Sequence, residues 1–327
     1  MNIFVTGGAG YIGGTLCRLL LAQGHAVTIY DNFCHSRHSA LPPGATLVEG
    51  DLADRPLLEK TLSATSFDGV MHFAALIEAG ESMKVPEVYF RNNTAGTLSL
   101  LEAMLATGQN RIVFSSTAAC YGEPERTPIL EDARLAPTNA YGESKLLVEH
   151  MLRWMNTQHG LRYASLRYFN VAGAMAGYGE NHEPESHLIP LILDVALGRR
   201  DKIKIFGQDY PTKDGTCIRD YIHVQDLADA HLLALAALSE PKGANGLGLI
   251  YNIGNGEGFT VLEVIQSVER VTGRPIPVEL CPRRPGDPAV LVAGSEKIKR
   301  ELGWTPRFAD LDTIIASAWT WHQHLHG

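Results

Sequence analysis

Tyr141 and Lys145 stand four residues apart in the run Asn139-Ala140-Tyr141-Gly142-Glu143-Ser144-Lys145, which leads into an amphipathic stretch with Leu146, Leu147, Met151 and Leu152. On a helix that spacing places phenol and ammonium on one face. Upstream, Ser115-Ser116-Thr117 follows the apolar run Ile112-Val113-Phe114, so a strand ends by delivering hydroxyls. Together these groups suit oxidation of a carbinol. Tyr141 would take the hydroxyl proton while hydride leaves the same carbon, Lys145 would hold the phenolate charge and a ribose, and Thr117 would hydrogen-bond the reacting oxygen. A phenol titrates too high for this work near neutrality, so its pKa must fall by about 3 units, or about 4 kcal/mol of preference for the phenolate. The Lys145 ammonium and the positive charge of an oxidising cofactor are the expected sources.

Tyr and Lys at this spacing occur on many helices, so the reading needs a dinucleotide site elsewhere. The first thirty-one residues supply one. Ile3-Phe4-Val5 reads as a buried strand, Thr6-Gly7-Gly8-Ala9-Gly10-Tyr11-Ile12-Gly13 as a turn opening a helix, and Ala26-Val27-Thr28-Ile29-Tyr30 as a second strand closing on Asp31. Glycine is required where the turn is tight, where backbone approaches a pyrophosphate, and where helix and strand pack without a Cβ between them. The helix starting near Tyr11 directs its N–H groups and positive dipole end at the anion. Asp31 can take both hydroxyls of an adenosine ribose and would repel a 2′-phosphate, which favours NAD over NADP. The glycines at 7, 10 and 13 have GxxGxxG spacing.

Strands continue to alternate with helical patterns through Thr46-Leu47-Val48-Glu49, Val70-Met71-His72-Phe73 and Ile112-Val113-Phe114, the pattern of a parallel sheet covered on both faces. Ligands of such sheets gather at the carboxyl ends of the strands, where the small Ala74 and Ala75 let a cofactor come close. Asn92 and Asn93 lie in a helical stretch in which asparagine is a poor helix former. Further on, Thr260-Val261-Leu262-Glu263 is a capping box for a helix ending at Gly273, and Val224 to Leu238 is another helix.

The chain has 327 residues, 45% hydrophobic and 20% charged, with a net charge of -8. It is long enough for two unequal domains. The acidic balance argues against nucleic acid or an anionic membrane as partner. Cys17, Cys34, Cys120, Cys217 and Cys281 are odd in number and lack a CxxC pair, so reduced thiols are expected. The first strand begins at Asn2 and no apolar run reaches membrane-span length, so use in the cytoplasm is expected. The tail His322-Gln323-His324-Leu325-His326 has no carboxylate or cysteine beside it, and no metal site is expected.

The loop TGGAGYIG, followed by Ser116-Thr117 and by Tyr141 with Lys145, resembles the extended short-chain dehydrogenase/reductase family. That resemblance implies an α/β fold: a Rossmann-type doubly wound parallel sheet over residues 1–170 and a smaller α/β substrate domain over 171–327, with the chain free to cross between them. It implies cofactor contacts from Gly7, Gly10, Tyr11, Ile12, Gly13, Asp31, Asn32, Asp51, Leu52, Phe73, Ala74, Ala75, Asn92, Ser115, Tyr141, Lys145, Tyr168 and Phe169. For Asp51 a helix-capping role is equally open, and Asn92 and Asn93 can also cap or pack. Many family members carry Gly-Leu-Lys where this chain has Ala75-Leu76-Ile77, so a lysine contact there is not expected.

Within that family, dehydratases and decarboxylases place acidic residues after the Ser/Thr pair, where this chain has Ala118-Ala119. The runs Arg167-Tyr168-Phe169-Asn170-Val171-Ala172-Gly173, Ile205 to Thr212, Asp214-Gly215-Thr216, Arg219 to Val224 and Arg283 to Asp287 resemble the branch that epimerises UDP-hexoses at C4. The resemblance covers nearly the whole chain. It implies reversible conversion of UDP-galactose to UDP-glucose through a 4-keto sugar, with NAD tightly bound, and a homodimer formed through helices beside the Tyr141 helix. Arg219 and Arg284 can bind phosphate oxygens bidentately, the alternative being surface ion pairs. Asp287 can accept ribose hydroxyls, Asn170 can donate to phosphate or sugar, Phe206 can pack on uracil, and Leu188 is placed nearby. The position that limits bulk at C2 matches Leu291, small enough for an acetamido group. Thr117 and Tyr141 also touch the sugar. A 4-epimerase for acetylated hexosamines or pentoses, a net NAD-dependent oxidoreductase and a non-catalytic NAD-binding protein are the alternatives.

Overall fold

A computed structural model describes residues 1–240, 247–284 and 287–327. Its contacts divide the chain into two compact units: one of Met1–Gly122, Arg134–Arg167 and Ala228–Tyr251, the other of Glu123–Ala133, Tyr168–Leu227 and Asn252–Gly327. The sequence suggested one boundary near residue 170. In the structure 123–133 also belongs to the second unit, and 228–251 returns to the first to complete its sheet.

The first unit is the Rossmann-type layer. Strands β1 (Asn2–Thr6), β2 (Ala26–Asp31), β3 (Thr46–Glu49), β4 (Gly69–His72), β5 (Arg111–Thr117), β6 (Arg162–Tyr168) and Gly248–Ile253 form one seven-stranded sheet. Its order is Gly248–Ile253, β6, β5, β4, β1, β2, β3. The pairs β1–β2, β1–β4, β2–β3 and β4–β5 are parallel. A sheet covered on both faces needs continuous apolar strands. Ile3, Phe4, Val5, Val70, Met71, Ile112 and Val113 accordingly have no exposure. Each such burial contributes about 1.5–3 kcal/mol against the entropy of ordering the chain. The strand order reverses between β1 and β4, a switch point at whose carboxyl edge ligands gather.

Helix α1 (Tyr11–Ala22) follows β1 directly, its N-cap Gly10 providing no side-chain cap. Between β4 and β5 the chain runs from helix Pro86–Tyr89 through a π-helical turn, Phe90–Ala95, into helix Gly96–Ala106. The helix Ala140–His159 is N-capped by Asn139, whose side chain accepts from Gly142 N, and ends on left-handed Gly160. One core cluster of this unit includes Phe4, Tyr30, Leu58, Leu100, Phe114, Val148 and Leu152.

The second unit has its own core around Ile192, Ile205, Val264, Val268, Ile314 and Ile315. Helices Leu188–Ala196, Val261–Thr272 and Leu311–His326 pack there with short strands. Thr260 and Glu263 form the reciprocal capping box expected from the sequence, and the helix ends at left-handed Gly273. Ile218–Arg219 pairs with Phe259–Thr260 on one side and Val290–Leu291 on the other. Asn170–Ala172 pairs with Tyr221–His223, and Ile203–Phe206 with Val278–Cys281. No helix among the described residues is long and apolar enough to cross a membrane.

His72 closes β4 as a buried tie. Its Nδ1 lies 2.6 Å from Thr6 Oγ1 and its Nε2 2.7 Å from Thr97 Oγ1. Burial, with a smaller effect of the Lys145 charge, lowers its pKa from 6.5 to about 3. Between those values the unfolded chain binds a proton that the folded chain excludes. The stabilisation from neutral His72 is therefore whole above the unfolded value and is lost progressively as the pH falls towards the folded one. Denaturant midpoints measured at neutral and at mildly acidic pH should show this loss in the wild type. His72→Gln should flatten the pH dependence; an unchanged pH slope in a folded His72→Gln protein rejects the assignment.

Candidate active site

At the phosphate turn, close approach is decided by missing side chains. A Cβ on Gly13 would lie 2.3 Å from the Gly7 carbonyl oxygen, and one on Gly7 would lie 2.5 Å from Ala74 N. Gly7 also has φ +71°, in the left-handed region. Strand β1, the start of α1 and the Phe73-Ala74 segment after β4 thus meet backbone to backbone, with Gly10, Tyr11, Ile12 and Gly13 forming the uncapped helix start. Asp31 stands at the end of β2. Its Oδ2 accepts from Ala9 N at 3.0 Å, and its Oδ1 from Phe33 N at 2.9 Å and Ser36 Oγ at 3.0 Å. Ribose hydroxyls would share a carboxylate that already orders the loop after β2.

Asn32 and Asp51 come together, Asn32 Nδ2 donating to Asp51 Oδ2 at 2.7 Å. Asp51 does not cap the following helix. Asp54 does, accepting from Leu57 N, while Asp51 Oδ1 accepts from Ala53 N. Leu52 is buried beside them. Phe73, Ala74 and Ala75 follow β4, with the Phe73 ring 4.8 Å from that of His231.

Asn92 lies in the π-turn and donates to Asn93 Oδ1. The buried Asn93 does more. It accepts from Leu76 N at 2.8 Å and donates to Leu76 O at 2.9 Å and Ser144 Oγ at 3.0 Å, joining the loop after β4 to the Tyr141 helix. The sequence flagged an asparagine out of place in a helix, but it did not tell which of the pair was structural.

Strand β5 delivers Ser115, Ser116 and Thr117 in three directions. The Ser115 carbonyl accepts from Lys145 Nζ at 2.9 Å. Ser116 Oγ turns away from the edge and donates to Glu149 Oε1 at 2.5 Å. The Thr117 side chain acts on the Tyr141 phenol in the direction that favours its ionised form. Glu149 is itself held by Arg167, whose Nε donates to Oε1 at 2.9 Å and whose second amino group donates to Oε2 at 2.5 Å. Burial alone would lower the Arg167 pKa, but the Glu149 bonds and charge outweigh it and raise it. This buried pair, absent from the sequence reading, anchors β5, β6 and the Tyr141 helix to one another. Tyr168 closes β6 and Phe169 follows it.

Electrostatics correct one expectation. Tyr141 is not lowered in the chain alone: burial raises its phenol to about 12, against a smaller lowering effect of the Thr117 side chain. Burial also lowers Lys145 to about 7. The ammonium is turned to the Ser115 carbonyl, so the chain by itself provides only part of the positive charge a phenolate needs. Cys120, beside the same helix, is pushed up to about 12 by burial and is an inert thiol.

The second unit collects the residues expected at a nucleotide. Arg219 pairs with Asp287, rather than each presenting a lone charge, and donates to the Ile218 carbonyl at 2.7 Å. Leu291 lies in register beside Arg219. The Arg284 guanidinium lies 4.0 Å from the Phe206 ring centroid, a planar cation on an aromatic face. Pro285 and Gly286 lie outside the described residues. Asn170 is exposed at the start of its strand, and Leu188 opens the helix Leu188–Ala196, half-buried. Asp220, missed by the sequence reading, is fully buried and accepts from the backbone of Asn255, Gly256 and Ala293. Burial outweighs those bonds and raises it to about 6. It fixes the strand that carries Arg219. One further point is corrected: His322 does have a carboxylate neighbour, Asp194 Oδ1 at 2.9 Å.

The sequence model of the NAD dependent epimerase/dehydratase family matches residues 3–254. The UDP-glucose 4-epimerase of Corynebacterium glutamicum is 51% identical over 319 residues, 98% of this chain and 95% of that protein. The crystal structure of UDP-glucose 4-epimerase from Brucella ovis in complex with NAD superposes with a TM-score of 0.94 at 45% identity, covering 98% of this chain and 97% of that one. The UDP-Glc/GlcNAc 4-epimerase of Campylobacter jejuni superposes with a TM-score of 0.86 at 42% identity, covering 99% of each chain.

The glycine contacts make a direct test. Gly13→Ala puts a methyl into the Gly7 carbonyl and should reduce retained NAD about tenfold or more, a loss of about 1.4 kcal/mol in binding. Gly80→Ala, which meets open space, should leave retention unchanged. Cofactor content after gel filtration checks both, and wild-type retention in Gly13→Ala would show that the close approach is not needed.

Proposed function

The chain belongs to the NAD dependent epimerase/dehydratase family, and from that premise we propose that it interconverts UDP-galactose and UDP-glucose by inverting C4 through a transient 4-keto sugar. The observation that carries this reading is the tie between the Tyr141 helix and the carboxyl end of β5, where Lys145 Nζ, one turn after Tyr141, donates to the Ser115 carbonyl at 2.9 Å, two residues before Thr117. Ala118 and Ala119 stand where a dehydratase needs carboxylates, which leaves oxidation and reduction at a single carbon as the chemistry.

NAD is the family's cofactor, and when bound it supplies a positive ring that takes hydride from C4 and returns it to the same carbon. The residues fit it. The turn from Gly7 to Gly13 admits a pyrophosphate where no Cβ intervenes, and Asp31 with Asn32 serves the adenosine ribose. Asp51 and Leu52 would serve the adenine, Phe73, Ala74, Ala75, Asn92, Ser115, Tyr168 and Phe169 the remainder, and Lys145 would hold the second ribose. Tyr141 takes the C4 hydroxyl proton, Thr117 holds the same oxygen, and Tyr141 returns the proton after the ketone has turned over. In the second unit Arg219 and Arg284 would hold the diphosphate, Asn170 a phosphate or sugar oxygen, Phe206 the uracil with Leu188 nearby, and Asp287 the uridine ribose. Gripping the nucleotide and leaving the sugar loose is what lets a ketone present either face.

Leu291 supports a second reading, in which UDP-N-acetylglucosamine is also accepted. It is half-buried beside Arg219 and smaller than a tyrosine, leaving space for an acetamido group. Use in the cytoplasm is supported by five free thiols. A homodimer is supported by Trp154, 59% exposed on the Tyr141 helix, and Leu98, 36% exposed on helix Gly96–Ala106.

Purified protein incubated with UDP-galactose and no added cofactor should yield UDP-glucose without net NADH. Stoichiometric NADH would instead indicate a net oxidoreductase. Tyr141→Phe should keep its fold and NAD while turnover falls about 10²–10⁴-fold; wild-type turnover would remove Tyr141 from its role. Undetectable conversion of UDP-N-acetylglucosamine at high enzyme would remove the second reading. Trp154→Asp should shift sedimentation towards the monomer, and an unaltered dimer would exclude that helix from the interface.

A further inference from the structure

The proposed function leaves the segment from Glu180 to His187 unused, although it gathers four metal-ligating side chains within eight residues. We propose that this segment is a zinc-type divalent cation site with Glu180, His182, Glu185 and His187 as its ligands. One donor atom from each of the four lies within 4.8 Å of all the others. His182 Nδ1 and His187 Nδ1 each approach Glu180 Oε1 at 3.1 Å, and His187 Nδ1 lies 2.8 Å from Glu185 Oε1. The two imidazole centroids are 5.3 Å apart and tilted by 44°, so the rings converge from two directions rather than stack.

A tetrahedral zinc with bonds of about 2.0–2.2 Å has ligand-to-ligand edges of about 3.3–3.6 Å. The three short donor separations, 2.8–3.1 Å, therefore need to open by a few tenths of an ångström, and the remaining ones, within 4.8 Å, to close by about 1.5 Å at most. Two carboxylates and two neutral imidazoles cancel the charge of a divalent ion, and the imidazoles select a borderline metal such as zinc over magnesium or calcium. In the metal-free chain, protons on the ring nitrogens bind the same carboxylate oxygens, and the cation takes their place.

Both ends of the segment are anchored. The Glu180 carbonyl accepts from Trp321 Nε1 at 2.7 Å, and Gly179 before it packs against the same indole, where a Cβ would lie 2.5 Å away. His187 is the N-cap of helix Leu188–Ala196, which enters the core of the second unit. In the chain these four residues have the spacing E-x-H-x-x-E-x-H. The histidine tail forms a second group, Asp194 with His322 and His326. There Asp194 already pairs with Arg199 at 3.0 Å, a fixed cation that opposes a metal ion.

The full chain, stripped with a chelator, equilibrated with Zn²⁺ and desalted, should retain about one zinc ion per chain by elemental analysis. Co²⁺ should bind with the intense visible bands of a four-coordinate site. Glu180→Gln and the pair His182→Gln with His187→Gln should each lower zinc retention at least tenfold while NAD content and circular dichroism stay unchanged. His322→Gln should leave it intact. A folded wild type that retains no zinc overturns the proposal. So does zinc that survives both sets of substitutions, or zinc lost only with His322→Gln. Should the double variant fail to fold, Glu180→Gln and the Co²⁺ spectrum of the wild type decide the matter.

Discussion

Backbone contact without side chains is the constraint from which the first unit is built. The Gly7 carbonyl occupies the space a Cβ on Gly13 would need, and the amide after Phe73 occupies the space of one on Gly7. Strand, helix start and the loop from β4 can close on one another only because Gly7 and Gly13 carry no side chain. Opening that contact would move α1 away from the sheet and take its N–H groups away from the switch point between β1 and β4. The parallel registers on either side, β1 with β2 and β1 with β4, transmit the same position to Asp31 and to the loop after His72.

Around this frame, buried polar groups position the chemistry instead of performing it. Glu149 and Arg167 form an ion pair nearly without exposure, completed by Ser116 and Tyr121. Such a pair adds little net stability over apolar packing, yet removing one partner costs about 3–5 kcal/mol because the other charge is stranded. It therefore holds β5, β6 and the Tyr141 helix in one arrangement. Asn93 does the equivalent for the loop after β4, and the π-turn that carries it is a local irregularity of the kind found at functional sites. Asp220 does so in the second unit.

The raised phenol of Tyr141 and the lowered ammonium of Lys145 have one cause, removal from water. The same burial that makes the chain alone a poor base strengthens any positive charge brought beside it, since charges act across a less screened medium. Lowering the phenol therefore calls for positive charge beyond what the chain itself brings to Tyr141.

Much of this was legible in the chain itself. The glycine turn, the strands with unbroken apolar runs, the Thr260 capping box and the four-residue spacing of Tyr141 and Lys145 are local patterns, and local geometry suffices to read them. Asn139 as the cap of the Tyr141 helix could have been read in the same way. What the sequence could not determine is where a polar side chain turns when several partners are in reach. Lys145 faces the Ser115 carbonyl, Ser116 faces Glu149, Arg219 pairs with Asp287, and Arg284 lies on Phe206. Each choice joins residues many positions apart and depends on which groups packing leaves within about 3 Å of one another. Composition and spacing named the chemical groups; only the tertiary structure decided their partners, because a hydrogen bond is made to whatever the fold brings near and not to what stands next in the chain.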